Sequence, residues 1–162
     1  MTYSIVYSSK TGNTRALAET IRDFLPKEDC VYFGQPDQMA LTADRVYVGF
    51  WTDKGDCTIE TTNFLAQITT QTVFLFGTAG FGGSAEYFNT ILSVVERHLP
   101  SPDSVVGTFM CQGKMPSSVR ARYESMEESP RKQMVLENYD RALNHPNNAD
   151  LENLKAALQK AE

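Results

Sequence analysis

Ser8-Ser9-Lys10-Thr11-Gly12-Asn13-Thr14 follows directly on the apolar run Tyr3 to Tyr7 and leads directly into Arg15-Ala16-Leu17-Ala18-Glu19. A strand feeding a hydroxyl-rich loop that opens a helix makes an anion site. The first-turn N–H groups lack intrahelical partners, and the helix dipole is positive at that end. Ser9, Thr11 and Thr14 offer hydroxyls to phosphate oxygens, Asn13 adds an amide donor, and Gly12 lets successive N–H groups turn toward one point. Gly-x-x-x-x-Gly-Lys-Ser/Thr and Gly-x-Gly-x-x-Gly are both absent here, which argues against an ATP loop and against a dinucleotide fingerprint. Helix capping would account for any one of these side chains. Seven polar or glycine residues in a row after a strand point instead to a phosphorylated ligand. Lys10 either screens that phosphate or is simply solvated.

Outward from this loop the chain alternates between apolar runs and amphipathic stretches. Leu17, Ile21, Phe24 and Leu25 recur at helical spacing up to Pro26. Cys30-Val31-Tyr32-Phe33, followed by Gly34 and Pro36, reads as an edge strand. Arg45 to Phe50 is nearly continuous apolar, as a parallel strand covered on both faces requires. Trp51-Thr52-Asp53-Lys54-Gly55-Asp56 breaks it as a loop. Thr58 to Ile68 is expected to be a helix with Ile59, Phe64, Leu65 and Ile68 inward, and Thr72 to Phe76 a further strand. Gly77-Thr78-Ala79-Gly80-Phe81-Gly82-Gly83 is expected to be a second loop at the same end. Tyr87, Ile91, Leu92, Val94, Val95 and Leu99 mark a long helix, and Ser104 to Cys111 a fifth strand. From about residue 114 the pattern weakens to an irregular or helical segment. Leu151, Leu154, Ala157 and Leu158 then define a terminal helix, preceded by a His145-Pro146 turn.

The opening loop resembles the N-terminal signature of the flavodoxin family, Thr/Ser-x-Thr-Gly-x-Thr, with Ser9, Thr11, Gly12 and Thr14 at the matching positions. The resemblance implies one α/β domain over residues 1–162, a doubly wound five-stranded parallel sheet of order 2-1-3-4-5 with ligand at the switch point between strands one and three. It also implies FMN as cofactor, its phosphate on Ser9, Lys10, Thr11, Gly12, Asn13 and Thr14. Its ring would lie against the loop Trp51, Thr52, Asp53, Lys54, Gly55 and the loop Thr78, Ala79, Gly80, Phe81, Gly82. Trp51 and Phe81 are the candidate walls, since the family's usual tyrosine in the second of these loops is not evident. In the family a glycine-containing peptide after strand three turns over to accept a hydrogen bond from the reduced flavin. Gly55 suits that role, a plain turn glycine is the alternative, and the Thr52-Asp53 peptide is the rival position.

Composition bounds the function. The chain has 162 residues, 41% hydrophobic and 22% charged, ordinary for a globular protein with a sizeable core. Twenty Asp and Glu against 15 Lys and Arg give a net charge of −5, which argues against general attraction to nucleic acid or an anionic membrane. Cys30, Cys57 and Cys111 show no paired or metal spacing, and His98 and His145 show no partner pattern. Cys57, beside Asp56, has no electropositive setting to activate its thiol. With no leader and no membrane-length apolar run, the expected location is cytoplasmic. The reading is an electron carrier for a partner oxidoreductase that docks over the flavin edge, with Asp53, Asp56 and Glu60 as a negative rim facing a basic partner. The alternatives are a flavin-dependent NAD(P)H:quinone or small-molecule reductase, and a non-redox binding module of the same fold.

Overall fold

The alternation of apolar runs resolves into five strands, β1 (Tyr3–Tyr7), β2 (Cys30–Gly34), β3 (Arg45–Trp51), β4 (Thr72–Ala79) and β5 (Val105–Gln112). In the computed structural model, which describes residues 1–162, they form one parallel sheet of order β2-β1-β3-β4-β5. The register is continuous through the centre, with Ile5 beside Tyr47, Val48 beside Leu75 and Phe76 beside Phe109. Side chains alternate between the faces, so each strand feeds two cores. On one face Val46, Val48, Phe50, Val73 and Leu75 meet Phe64 and Leu65 of α2 (Ile59–Leu65) and Ile91 and Val95 of α3 (Ala85–Glu96). On the other, Ile5, Tyr47, Phe74 and Phe76 meet Leu17 and Ile21 of α1 (Asn13–Phe24) and Leu154 and Leu158 of α6 (Asn148–Lys160). Burial on both faces explains why these strands read as unbroken apolar runs.

Two elements depart from the sequence reading. The second helix is shorter than Thr58 to Ile68. Ile59, expected inward, is 73% exposed, whereas Thr61 is fully buried and faces the Ser8 and Thr58 hydroxyls. At the first turn of a helix, one residue of phase decides which side chain meets the sheet, and Phe64 and Leu65 set that phase. The fourth strand runs past Phe76 through Gly77, Thr78 and Ala79, because Phe50 pairs with Gly77, Trp51 with Thr78, and Ala79 with Gln112. Gly77 is therefore a strand glycine. A Cβ there would lie 2.4 Å from the Phe50 ring.

The segment after β5 is helical. The helices α4 (Ser117–Glu124) and α5 (Pro130–Ala142) pack through Tyr123, Val135 and Tyr139 into a small cluster of their own. Ser129 accepts from the Lys132 amide and Pro130 opens the helix, so α5 begins with a side-chain cap and a residue that needs no N–H. Arg120 on α4 hydrogen-bonds Glu124 and reaches Asp140 on α5. Asn147 and Asp150 form a reciprocal capping box at α6, and Asp150 also binds His145 Nδ1 at 2.6 Å, giving that histidine the partner its spacing did not reveal.

Gly77→Ala should destabilise the fold by about 1–3 kcal/mol, since Phe50 is fully buried and cannot yield without disturbing the core. Ile59→Ser should change stability by less than about 0.5 kcal/mol. Urea unfolding monitored by circular dichroism distinguishes the two.

Candidate functional site

All strands are parallel, so the loops following β1, β3 and β4 gather at one end of the sheet, where order reverses between β1 and β3. In the first loop Gly12 sits at the N-cap of α1 with φ of +89°, a left-handed conformation that suits glycine. Ser9 Oγ accepts from the Gly12 amide at 3.1 Å and the Arg15 amide at 3.3 Å, bracing the turn from inside. The amides of Lys10, Thr11, Asn13 and Thr14 have no partner in the chain. Four unpaired donors within five residues make an anion-binding concavity of backbone. The side chains contribute less than their types suggest. Thr14 is wholly buried, and its hydroxyl donates to the Phe50 carbonyl and meets Thr78 Oγ1, each at 3.3 Å. It is thus a structural tie between α1, β3 and β4, and only its amide faces outward chemistry. Thr11 Oγ1 and Asn13 Nδ2 donate to the Lys114 carbonyl, while Asn13 Oδ1 is buried without a partner.

The loop after β3 is a tight turn. Thr52 donates to the Thr78 carbonyl through both its amide (2.9 Å) and its hydroxyl (2.8 Å), fixing the loop's base to β4. Asp53 and Asp56 then exchange amide-to-carbonyl bonds of 2.8 and 3.2 Å around Lys54 and Gly55, whose φ values are 53° and 82°. Positive φ at both central residues is the type I′ pattern. The Asp53 amide is engaged in this bridge, whereas the Lys54 carbonyl and the Gly55 amide bond to nothing in the chain. In the loop after β4, the Gly80 carbonyl accepts from Gln112 and from Asn138 of α5. A Cβ on Gly80 would strike Met115 Sδ at 2.5 Å, so the segment after β5 is packed directly over this loop.

These loops and α4 enclose a cleft of about 660 Å³, within the range of small-molecule and cofactor sites. Lys10, Thr11, Asn13, Trp51, Thr52, Asp53, Lys54, Gly55, Thr78, Ala79, Gly80 and Phe81 all line it. Ser9, Gly12 and Thr14 shape the first loop from behind, and Gly82 packs against Tyr87 and Phe88 instead. The aromatic lining is larger than expected. Phe81 makes an edge contact with Tyr123 at 6.4 Å, and Tyr87, whose spacing reads as a core position, is 37% exposed and lies on the cleft. Tyr123, Met115 and Arg122 come from the segment whose periodicity was too weak to assign. No local spacing encodes the packing that brings Tyr123 over Phe81.

The charge around this cleft differs from the expected negative rim. Lys10, Lys54, Lys114 and Arg122 line it against Asp53 alone, Asp56 is tied up elsewhere, and Glu60 lies on a neighbouring hollow. Lys10 Nζ stands 5.2 Å from the centre of the Trp51 ring, a cation–π contact. Asp56 accepts from His98 Nε2 at 2.9 Å and from the Cys57 amide at 2.7 Å, which gives His98 a partner and fastens the turn to the end of α3. Partial burial acts to raise the Asp56 pKa, but the His98 and Cys57 hydrogen bonds outweigh it and hold the carboxyl below its ordinary value. Burial pushes the Cys57 thiol up to about 11, which disfavours the thiolate, and its sulfur lies 3.4 Å from Thr62 Oγ1. Cys30, Cys57 and Cys111 are all free thiols.

A carboxyl with a lowered folded pKa contributes stability above its unfolded pKa of about 4, and that contribution is lost as pH falls through the lower folded value. Asp56→Asn should therefore flatten the acid limb of the stability profile below about pH 4. Urea midpoints measured from pH 2 to 7 test this.

Comparison with known proteins agrees with this architecture. A family model described as the flavodoxin domain matches residues 4–159. The chain is 39% identical to the flavodoxin-like domain-containing protein BilS of Clostridium symbiosum (strain WAL-14163), over 93% of this chain and 90% of that protein. It is 30% identical to the BilS protein of Clostridioides difficile (strain CD3), over 91% and 88%. Among solved structures, a short-chain flavodoxin associated with a non-canonical PDU bacterial microcompartment superposes with a TM-score of 0.52 at 17% identity, covering 100% of this chain and 99% of the other. The two-electron reduced flavodoxin of Megasphaera elsdenii superposes with a TM-score of 0.52 at 21% identity, covering 86% and 99%. The structural likenesses establish the fold, and the family match over nearly the whole length establishes kinship: the chain belongs to the flavodoxin family.

Proposed function

We propose that this protein binds FMN in the cleft and acts as an electron carrier, in a reducing cytoplasmic setting, for a partner oxidoreductase that docks over the flavin edge. The observation that carries the reading is the row of unpaired amides at Lys10, Thr11, Asn13 and Thr14, opening beside a cleft walled by Trp51. The donor set suits one terminal phosphate, and the unpaired Asn13 Oδ1 suits a donor hydroxyl such as a ribityl chain carries. Trp51, Phe81 and Tyr87 offer faces and edges to a flat ring system. FMN, when bound, supplies the one- and two-electron chemistry. The chain's part is to hold the phosphate, to exclude water with its aromatic walls, and to present backbone groups to the ring. Of the two peptides that could turn over, Lys54-Gly55 is favoured. Its carbonyl and amide are unbonded, and glycine holds the left-handed conformation, whereas turning Thr52-Asp53 would break the bond from Asp53 to Asp56.

A reductase acting in its own right is the second reading. The cleft continues past Phe81 to Val119 and Arg122, beyond the three loops that would face the flavin. Mixing the FMN-loaded protein with NADH and NADPH separates the two readings. A stable yellow colour supports the carrier, and rapid bleaching supports the reductase.

The apo chain should bind FMN at least about a hundredfold more tightly than riboflavin, because each hydrogen bond to a charged phosphate contributes on the order of 1.5–3 kcal/mol. Titration followed by flavin fluorescence measures the gap, and equal affinities would move the phosphate off the first loop. Gly55→Ala should leave oxidised FMN affinity nearly unchanged and shift the two one-electron potentials unequally. The expected difference is about 1 kcal/mol, the strain of placing a Cβ at this φ. Equal shifts in a redox titration would return Gly55 to a simple turn residue.

A further inference from the structure

The chain carries a net charge of −5, yet its cleft mouth has the opposite sign. Lys10, Lys54, Lys114 and Arg122 are all exposed, and none is within ion-pairing distance of a carboxylate. Five of the eleven cations elsewhere are paired, among them Arg15 with Glu19 and Arg120 with Glu124 and Asp140. At the mouth, Asp53 is the only carboxylate among the lining residues, which leaves a surplus of three positive charges. Asp56 faces His98 and does not line the cleft. Between the cations lie partly exposed apolar groups, with Phe81 at 36% and Tyr87 at 37%, beside the half-buried Trp51 and Met115. An apolar centre ringed by unpaired like charges has the layout of a transient protein interface, in which the centre supplies contact area and the rim selects and steers the partner.

We propose that this mouth docks an acidic surface patch on a redox partner protein, so that the local field, opposite in sign to the net charge, selects the partner. This deepens the carrier reading above by naming the chemistry of the partner. A cofactor phosphate on the first-loop amides would reduce the surplus without adding a carboxylate to the rim. The cations lie on three separate segments, the loops after β1 and β3 and the segment from Lys114 through α4, so the patch exists only in the folded chain.

The test uses an oxidised, acidic [2Fe–2S] ferredoxin as probe, titrated into the isotopically labelled full chain with and without FMN. The paramagnetic cluster broadens the NMR signals of residues that approach it. At about 0.02 M salt the Trp51 indole and the Lys54, Phe81 and Arg122 amides should broaden first, and raising salt to about 0.3 M should restore them. Lys114→Glu combined with Arg122→Glu should weaken binding roughly tenfold or more. Lys27→Glu combined with Lys160→Glu, an equal charge change at exposed positions off the cleft, should alter it less than about twofold. Broadening centred elsewhere, no binding at low salt, or equal losses in the two charge variants would overturn the proposal. Because both forms are titrated, a chain that docks the probe here but refuses FMN defeats only the flavin reading. One that binds FMN but does not dock defeats only this proposal.

Discussion

A small knot of hydrogen bonds between the carboxyl ends of β3 and β4 and the start of α1 holds the site together. Thr14, at the start of α1, donates its buried hydroxyl to the end of β3 at Phe50 and meets the Thr78 hydroxyl on β4. Thr52, just past β3, returns two bonds to the Thr78 carbonyl. In this apolar setting an unpaired hydroxyl or carbonyl would cost about 1–3 kcal/mol, so the three loops are locked to one another rather than merely adjacent. The unpaired amides of the first loop keep their common direction because the helix that presents them cannot shift relative to β3 and β4.

A second set of bonds closes the cleft from the far side. The Lys114 carbonyl takes Thr11 and Asn13, and the Gly80 carbonyl takes Gln112 and Asn138. The segment after β5 is thereby fastened to the first and fourth loops, and α4 and α5 become a wall carrying Tyr123 and Arg122. This wall changes the character of the site. It adds aromatic surface opposite the Trp51 side and two of the four cations at the mouth.

The charge pattern shows how little net charge says about a local surface. The acidic residues nearest the cleft in sequence are Asp53, Asp56 and Glu60, and counting them suggests a negative rim. Folding engages Asp56 with His98, turns Glu60 onto another hollow, and brings in Lys114 and Arg122 from about 60 residues away in sequence.

By itself the sequence determined the five strands, the first loop and the long helices that pack on the sheet, which follow from local period and from the polar run after a first buried strand; the strand order was what the resemblance carried by that run implied. Tertiary structure decided what depends on phase and on distant partners. Ile59 faces water because Phe64 and Leu65 fix the rotation of α2, and β4 continues through Gly77 because the Phe50 ring needs the space a Cβ would take. Thr14 carries the signature of a phosphate donor, yet its hydroxyl is spent inside the fold, because the nearest acceptors to a buried oxygen are the ends of β3 and β4. The helices α4 and α5 have little amphipathic pattern of their own, since their stabilising contacts are with each other and with the loop at Gly80, and no local spacing encodes such contacts.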